Sequence, residues 1–166
     1  MSSRLRRSLL LTTLLALVLA IPGAAALTAR AAAPPPPTAP VFGLDVDATT
    51  IPELQNLMNA RRFNAVALTN LYLRRIRQLN PELNAVITVS PTALADARAA
   101  DAARRSGDRR PLLGIPIIVK DNVNTTGMPT TAGSWALAGS TPGDAFIAAR
   151  LKAAGAFIIG KANLSE

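Results

Sequence analysis

Along this 166-residue chain the spacing of hydrophobic positions changes several times, and each change predicts an element. Leu9 to Ile21 is an apolar run interrupted only by Thr12 and Thr13. From Thr49 onward, Ile51, Leu54, Leu57 and Met58 recur at helical spacing, and this helix is expected to end near Arg62. Thr50 with Glu53 fits a capping box at its start, because the hydroxyl can accept from the Glu53 amide. Asn64 is placed to cap a second helix, in which Ala65, Leu68, Tyr72, Ile76 and Leu79 share one face. Arg74, Arg75 and Arg77 lie mostly off that face and read as solvated charges, with an anion-binding patch as the alternative. Asn80-Pro81 should end the helix, since a residue before proline avoids the α region.

Ala85 to Val89 is a short β-branched run and reads as a strand. Pro91 to Arg105 predicts an alanine-rich helix with Asp96, Arg98, Asp101, Arg104 and Arg105 toward water. Ile115 to Val119 is too apolar to present a solvent face, which points to a central strand covered on both sides. A Gly/Thr/Ser-rich loop follows from Asn122 to Gly143. Asp144 is then placed to cap a helix through Ala154, with Ile147 and Leu151 inward and Gly155 terminating it. Phe157-Ile158-Ile159 is a further buried strand. Strand, helix, strand in this order predicts a right-handed crossover and a parallel pair. The fold class is α/β.

Charge and composition refine the ends of this pattern. Arg4, Arg6 and Arg7 precede the apolar run, Pro22-Gly23 breaks it, and Ala24-Ala25-Ala26 offers a small-residue cleavage site. Residues 1–33 therefore read as a signal peptide by either the general or the twin-arginine route, with an uncleaved anchor as the alternative. Localisation is expected to be secreted or extracytoplasmic, with the membrane met only through this export signal. Residues 34–50, opening with Pro34 to Pro37, read as a proline-rich spacer. Residues 51–166 form the folded portion. The net charge is +8, and removing Arg4, Arg6, Arg7 and Arg30 of the leader leaves +4, a mild excess that does not mark a nucleic-acid binder. Cysteine and histidine are both absent. Thiol nucleophiles, disulfides, Ser-His-Asp triads and His- or Cys-ligated metals are thereby excluded from these residues.

Any chemistry here must use lysine, carboxylate, hydroxyl or backbone groups. The informative run is Gly114-Ile115-Pro116-Ile117-Ile118-Val119-Lys120-Asp121-Asn122. It ends an apolar strand on a lysine, and ligands gather at the carboxyl ends of strands in α/β sheets. On spacing alone, the plainer reading of Lys120, as the point where the strand meets water, is the stronger of the two. Continued by Asn124 to Ser134, Asp144-Ala145, Ala149 to Ala156 and Ile159 to Glu166, the run closely resembles the amidase signature family. Leu68-Thr69, Tyr72 to Ile76 and Leu83 to Val86 extend the resemblance across essentially all of residues 51–166.

That resemblance implies the N-terminal part of the amidase signature fold, truncated here, with a mixed central sheet flanked by helices. It implies hydrolysis of small-molecule amides by a Ser–cis-Ser–Lys triad, with no cofactor and no metal. Lys120 stands where the family's lysine base stands, and glycine-rich backbone amides would stabilise the oxyanion. Ser134, Ser140 and Ser165 do not match the family serines, so the chain alone is expected to be inactive. Burial beside Ile117, Ile118 and Val119 would help deprotonate Lys120, and Asp121, one residue on, is expected to point to the opposite face. Lys161, after Gly160, is the rival base. A degenerate binding module and an amidotransferase-type subunit of the same family are the alternative readings. The leader weighs against the latter, because charged tRNA is cytosolic.

Overall fold

A computed structural model describes residues 44–46 and 48–164. The predicted leader and most of the spacer lie outside the described residues, as does Ser165. The element order is α1 (Ile51–Asn59), α2 (Ala65–Leu83), β1 (Val86–Val89), α3 (Ala93–Arg105), β2 (Pro116–Lys120), α4 (Phe146–Ala153) and β3 (Phe157–Ala162), with a short 3₁₀ turn at Trp135–Leu137. The three strands form one mixed sheet in the order β1-β3-β2. β2 runs parallel to β3 and β1 antiparallel to it.

The starts of α1 and α2 follow the sequence. The Thr50 hydroxyl accepts from the Glu53 amide at 3.4 Å, and the Glu53 carboxylate accepts from the Thr50 amide at 2.7 Å, so the capping box is complete. Asn64 Oδ1 accepts from the Ala67 amide at 2.7 Å and caps α2. The end of α2 differs from expectation, since it continues through Pro81 to Leu83. Asn80 explains this. Its side chain donates to Val86 O and accepts from the Val86 amide, both at 2.8 Å, locking the helix onto the start of β1. Asn84 then closes the helix in the left-handed conformation at φ 49°.

The sheet also departs from expectation. Among the described residues β3 is the middle strand, and β2 takes an outer position with Ile118 39% exposed. The reason is the return of β1 against the far side of β3, so that every residue from Phe157 to Lys161 is buried. Alanines set the distance between α2, α3 and the sheet: Ala65, Ala93, Ala97 and Ala100 pack with Leu113, Phe157 and Ile159. A second cluster joins Leu54, Met58, Phe63, Leu68 and Leu71 to Ile115 of the segment leading into β2.

Two charges expected in water are instead built in. Asp101 of α3 accepts from the Ala65 and Val66 amides at 2.8 and 3.2 Å, capping α2 from a neighbouring helix. Arg104 is only 8% exposed and donates to Asn59 Oδ1, Gln55 Oε1 and Leu113 O. Alanine neighbours leave room for long side chains to fold back across the bundle, which helical periodicity cannot reveal. In α4 the inward residue is Ala148, whereas Ile147 is 57% exposed. Ala145, not Asp144, occupies the N-cap of α4.

Candidate active site

Three segments meet at the carboxyl end of the parallel pair: the β2 terminus, the end of β3 and the loop that follows β2. Lys120 pairs with Ala162 across the ladder. The Asp121 amide continues the ladder to Ala162 O at 2.9 Å, and the Val123 amide turns back to Lys120 O at 2.9 Å. The backbone on both sides of Lys120 is therefore held.

Side chains alternate across this end of the strand. Ile118 and Lys120 are exposed, whereas Val119 and Asp121 are buried. Asp121 thus points away from the face of Lys120, as the pleat predicts. The expected burial of Lys120 by its apolar neighbours is not formed among the described residues, because Val119 turns to the other face.

Asp121 and Lys161 are both fully buried, and Asp121 Oδ1 lies 3.2 Å from Lys161 Nζ. The ammonium also donates to Pro129 O at 3.0 Å and to Thr130 Oγ1 at 2.7 Å. Asp121 Oδ2 accepts from the Thr131 amide at 3.0 Å and from the Thr131 hydroxyl. Oδ1 has no hydrogen-bond donor, so the Lys161 charge is what compensates it. Burial pushes the Asp121 pKa up, but the Thr131 donors and the Lys161 ammonium outweigh it, holding the carboxyl below its ordinary value.

This buried pair shapes the loop above it. The Ala132 amide donates to Asp121 O at 3.2 Å, and the Ser134 amide to Thr131 O at 2.8 Å. Ala132 and Gly133 are both left-handed, at φ 46° and 73°. Ser134 Oγ accepts from the Ala136 amide at 3.3 Å and caps the 3₁₀ turn, a backbone-bonding role. Ser140 lends its carbonyl to the Thr130 amide at 2.9 Å. At the other end of the loop, Asp144 receives the Thr126 amide at 2.8 Å and Lys152 Nζ at 2.7 and 2.9 Å.

Lys161 has the rival assignment, and its surroundings argue against proton transfer. It is closed to solvent, with two hydrogen bonds and a carboxylate around its ammonium. Lys120 alone of the two faces outward. Among the described residues no group of three or more Asp or Glu side chains could hold a metal ion. A cavity of about 620 Å³ opens elsewhere, between α3 and β3, lined by Thr92, Asp96, Arg110, Lys152 and Phe157 among others. Lys120, Asp121 and Lys161 do not line it.

The Asp121–Lys161–Thr131 arrangement goes beyond what the motifs indicate. A signal for it existed: a lysine inside the apolar run from Phe157 to Ala162 requires a buried counter-charge, and Asp121 shares the inward parity of Val119.

Comparison with known proteins decides the family. The Amidase family model matches residues 67–166. The chain belongs to the amidase signature family. It is 44% identical over 119 residues to a glutamyl-tRNA(Gln) amidotransferase subunit of Nitrosococcus oceani, covering 70% of this chain and 25% of that protein. Among solved structures, the native peptide amidase of Stenotrophomonas maltophilia superposes with TM-score 0.71 at 45% identity, covering 76% of this chain and 26% of that one. An amidase family protein of Bacillus anthracis gives TM-score 0.67 at 40% identity, with 72% and 25% covered. The chain thus spans about a quarter of the length of these amidase relatives. Amide-bond chemistry is the common ground of this amidase family, and the α/β arrangement with its small mixed sheet is part of the amidase fold.

Proposed function

We propose that these residues belong to an exported hydrolase of small amides, in which Lys120 is the base of a Ser–cis-Ser–Lys triad. The observation that carries this reading is the division of labour between two lysines at one sheet end. Lys161 is consumed by Asp121, Thr130 and Pro129, while Lys120 projects on the opposite, exposed face from a backbone held on both sides. A base needs a fixed stem, which the held backbone gives Lys120, whereas the Lys161 ammonium is fully buried against Asp121. In the proposed scheme Lys120 accepts, through the cis-serine, the proton of the nucleophilic serine. Backbone amides then stabilise the tetrahedral oxyanion.

Ser134 and Ser140 support backbone structure and are not assigned to the triad, so the 166-residue chain is expected to be inactive alone. Export rests on the basic and apolar leader of residues 1–33. In the full-length protein, Lys120→Ala should abolish hydrolysis of simple amides and leave the fold intact by circular dichroism. Near-normal turnover in that variant would overturn the assignment.

The similarity to amidotransferase subunits favours a second reading, in which released ammonia is passed to an acceptor. Hydrolysis of a free primary amide without any partner protein, measured as ammonia release, separates the two.

A further inference from the structure

Lys161 and Asp121 take no part in the proposed proton transfer, yet they form a fully buried ion pair one residue from the base. A buried pair is rarely the best way to stabilise a sheet, because apolar side chains of similar size usually do as well without the desolvation cost. Here the pair has a neighbour for which charge matters. Asp121 follows Lys120 directly in the chain, and an uncompensated carboxylate there would favour the charged amine.

We infer that the Lys161–Asp121 pair is a positioning device for the base, holding the adjoining carboxylate on the opposite face, cancelling its charge and anchoring the loop of residues 129–134. The proposal rests on Lys120 being the base. Lys161 is suited to the task because its ammonium reaches both the carboxylate and the loop, at Pro129 O and Thr130 Oγ1. Thr131 completes the clamp by giving its amide and hydroxyl to the second carboxylate oxygen.

The charged groups on the elements around the base are few. β3 contributes only Lys161, and the loop of residues 122–143 contains no Asp, Glu, Lys or Arg. The segment after it brings Asp144, paired with Lys152 of α4. α2, which packs near Ile115 and Ile117, brings Arg74, Arg75, Arg77 and Glu82. On the strand itself the neighbour is Asp121. Removing either member of the pair should therefore change the field at Lys120 in a direction set by the charge that remains.

The test is the pH profile of kcat/KM for a simple amide in the full-length enzyme. Lys161→Met leaves Asp121 uncompensated, and the acid limb should move to higher pH. Asp121→Asn leaves the Lys161 cation uncompensated, and the limb should move to lower pH. The double variant D121N/K161M removes both charges and should return the limb to its wild-type position, at whatever kcat remains. A purely structural pair would reduce the yield of folded enzyme in the single variants and leave the limb unmoved, and that outcome overturns the proposal. Where K161M does not accumulate, the shift in D121N decides alone. Failure of the base assignment is distinguishable, because it appears as turnover surviving in Lys120→Ala. A limb unmoved by K161M in an enzyme that K120A silences removes only the role of the pair.

Discussion

Single residues in this chain acquire their roles from what the pleat and the turns place beside them. Lys120 and Asp121 are adjacent in sequence but separated in environment, one exposed and the other wholly buried. The alternation was legible, since successive residues of a strand point to opposite faces. The partner of Asp121 was not, because Lys161 lies forty positions away and meets it only through the parallel pairing of β2 with β3. Asp144 shows the same dependence in a more accessible setting. Burial raises its pKa, but Lys152 and the Thr126 amide outweigh that, and the carboxyl is held below its ordinary value. A group depressed in the folded state contributes stability above its unfolded pKa, and this is lost as pH falls through the lower folded value. Asp144→Asn should therefore lower stability at neutral pH and flatten the acid side of a stability–pH curve. Urea denaturation between pH 7 and pH 3 would show it, and a curve parallel to wild type would contradict it.

The first two helices begin where the sequence indicates, and α2 ends where tertiary contacts allow. Local capping chemistry explains the starts: Thr50 with Glu53, and Asn64, act within four residues of their own position. The end of α2 departs from expectation because the constraint before proline is weaker than the two hydrogen bonds tying Asn80 to Val86. Asp101 has the pattern of a solvated charge, yet it caps α2 across a helix–helix contact. Asp101→Ala in the full-length protein should cost about 1 kcal/mol, the usual worth of a helix N-cap, measured by chemical denaturation. The link from α4 into β3 is tighter still. Gly155 sits at φ 99°, and a side-chain carbon there would approach the Leu113 Cα to 2.7 Å. Gly155→Ala should destabilise by about 2 kcal/mol or more, since the left-handed strain and the clash with backbone add. A thermal midpoint unchanged in that variant would show that the approach of Gly155 to Leu113 is not rigid.

At the scale of the molecule, the exposed apolar surface is the leading feature. Trp135 is 95% exposed, Phe146 81% and Ile147 57%, and β2 has a partner on one side only among the described residues. Large exposed apolar groups and open strand edges both promote association. The 166-residue chain expressed alone should be poorly soluble or partly molten, and without amidase turnover. A sharp cooperative melt with native-like near-UV dichroism, or turnover of a simple amide by this chain alone, would contradict that expectation.

What the sequence determined by itself was local or patterned: the α/β class, the parallel pair around α4, the Thr50 and Asn64 caps, and Lys120 at a strand end within a run resembling amidases. These depend on spacings of a few residues, or on an ordered motif series that needs no geometry. Tertiary structure alone decided the rest. It set the strand order, folded Arg104 and Asp101 back into the helices, and brought Lys161 to the end of β2 to meet Asp121. The physical reason is that a buried charge must find its counter-charge wherever the fold brings one within reach, and that distance in space is not written in the spacing along the chain.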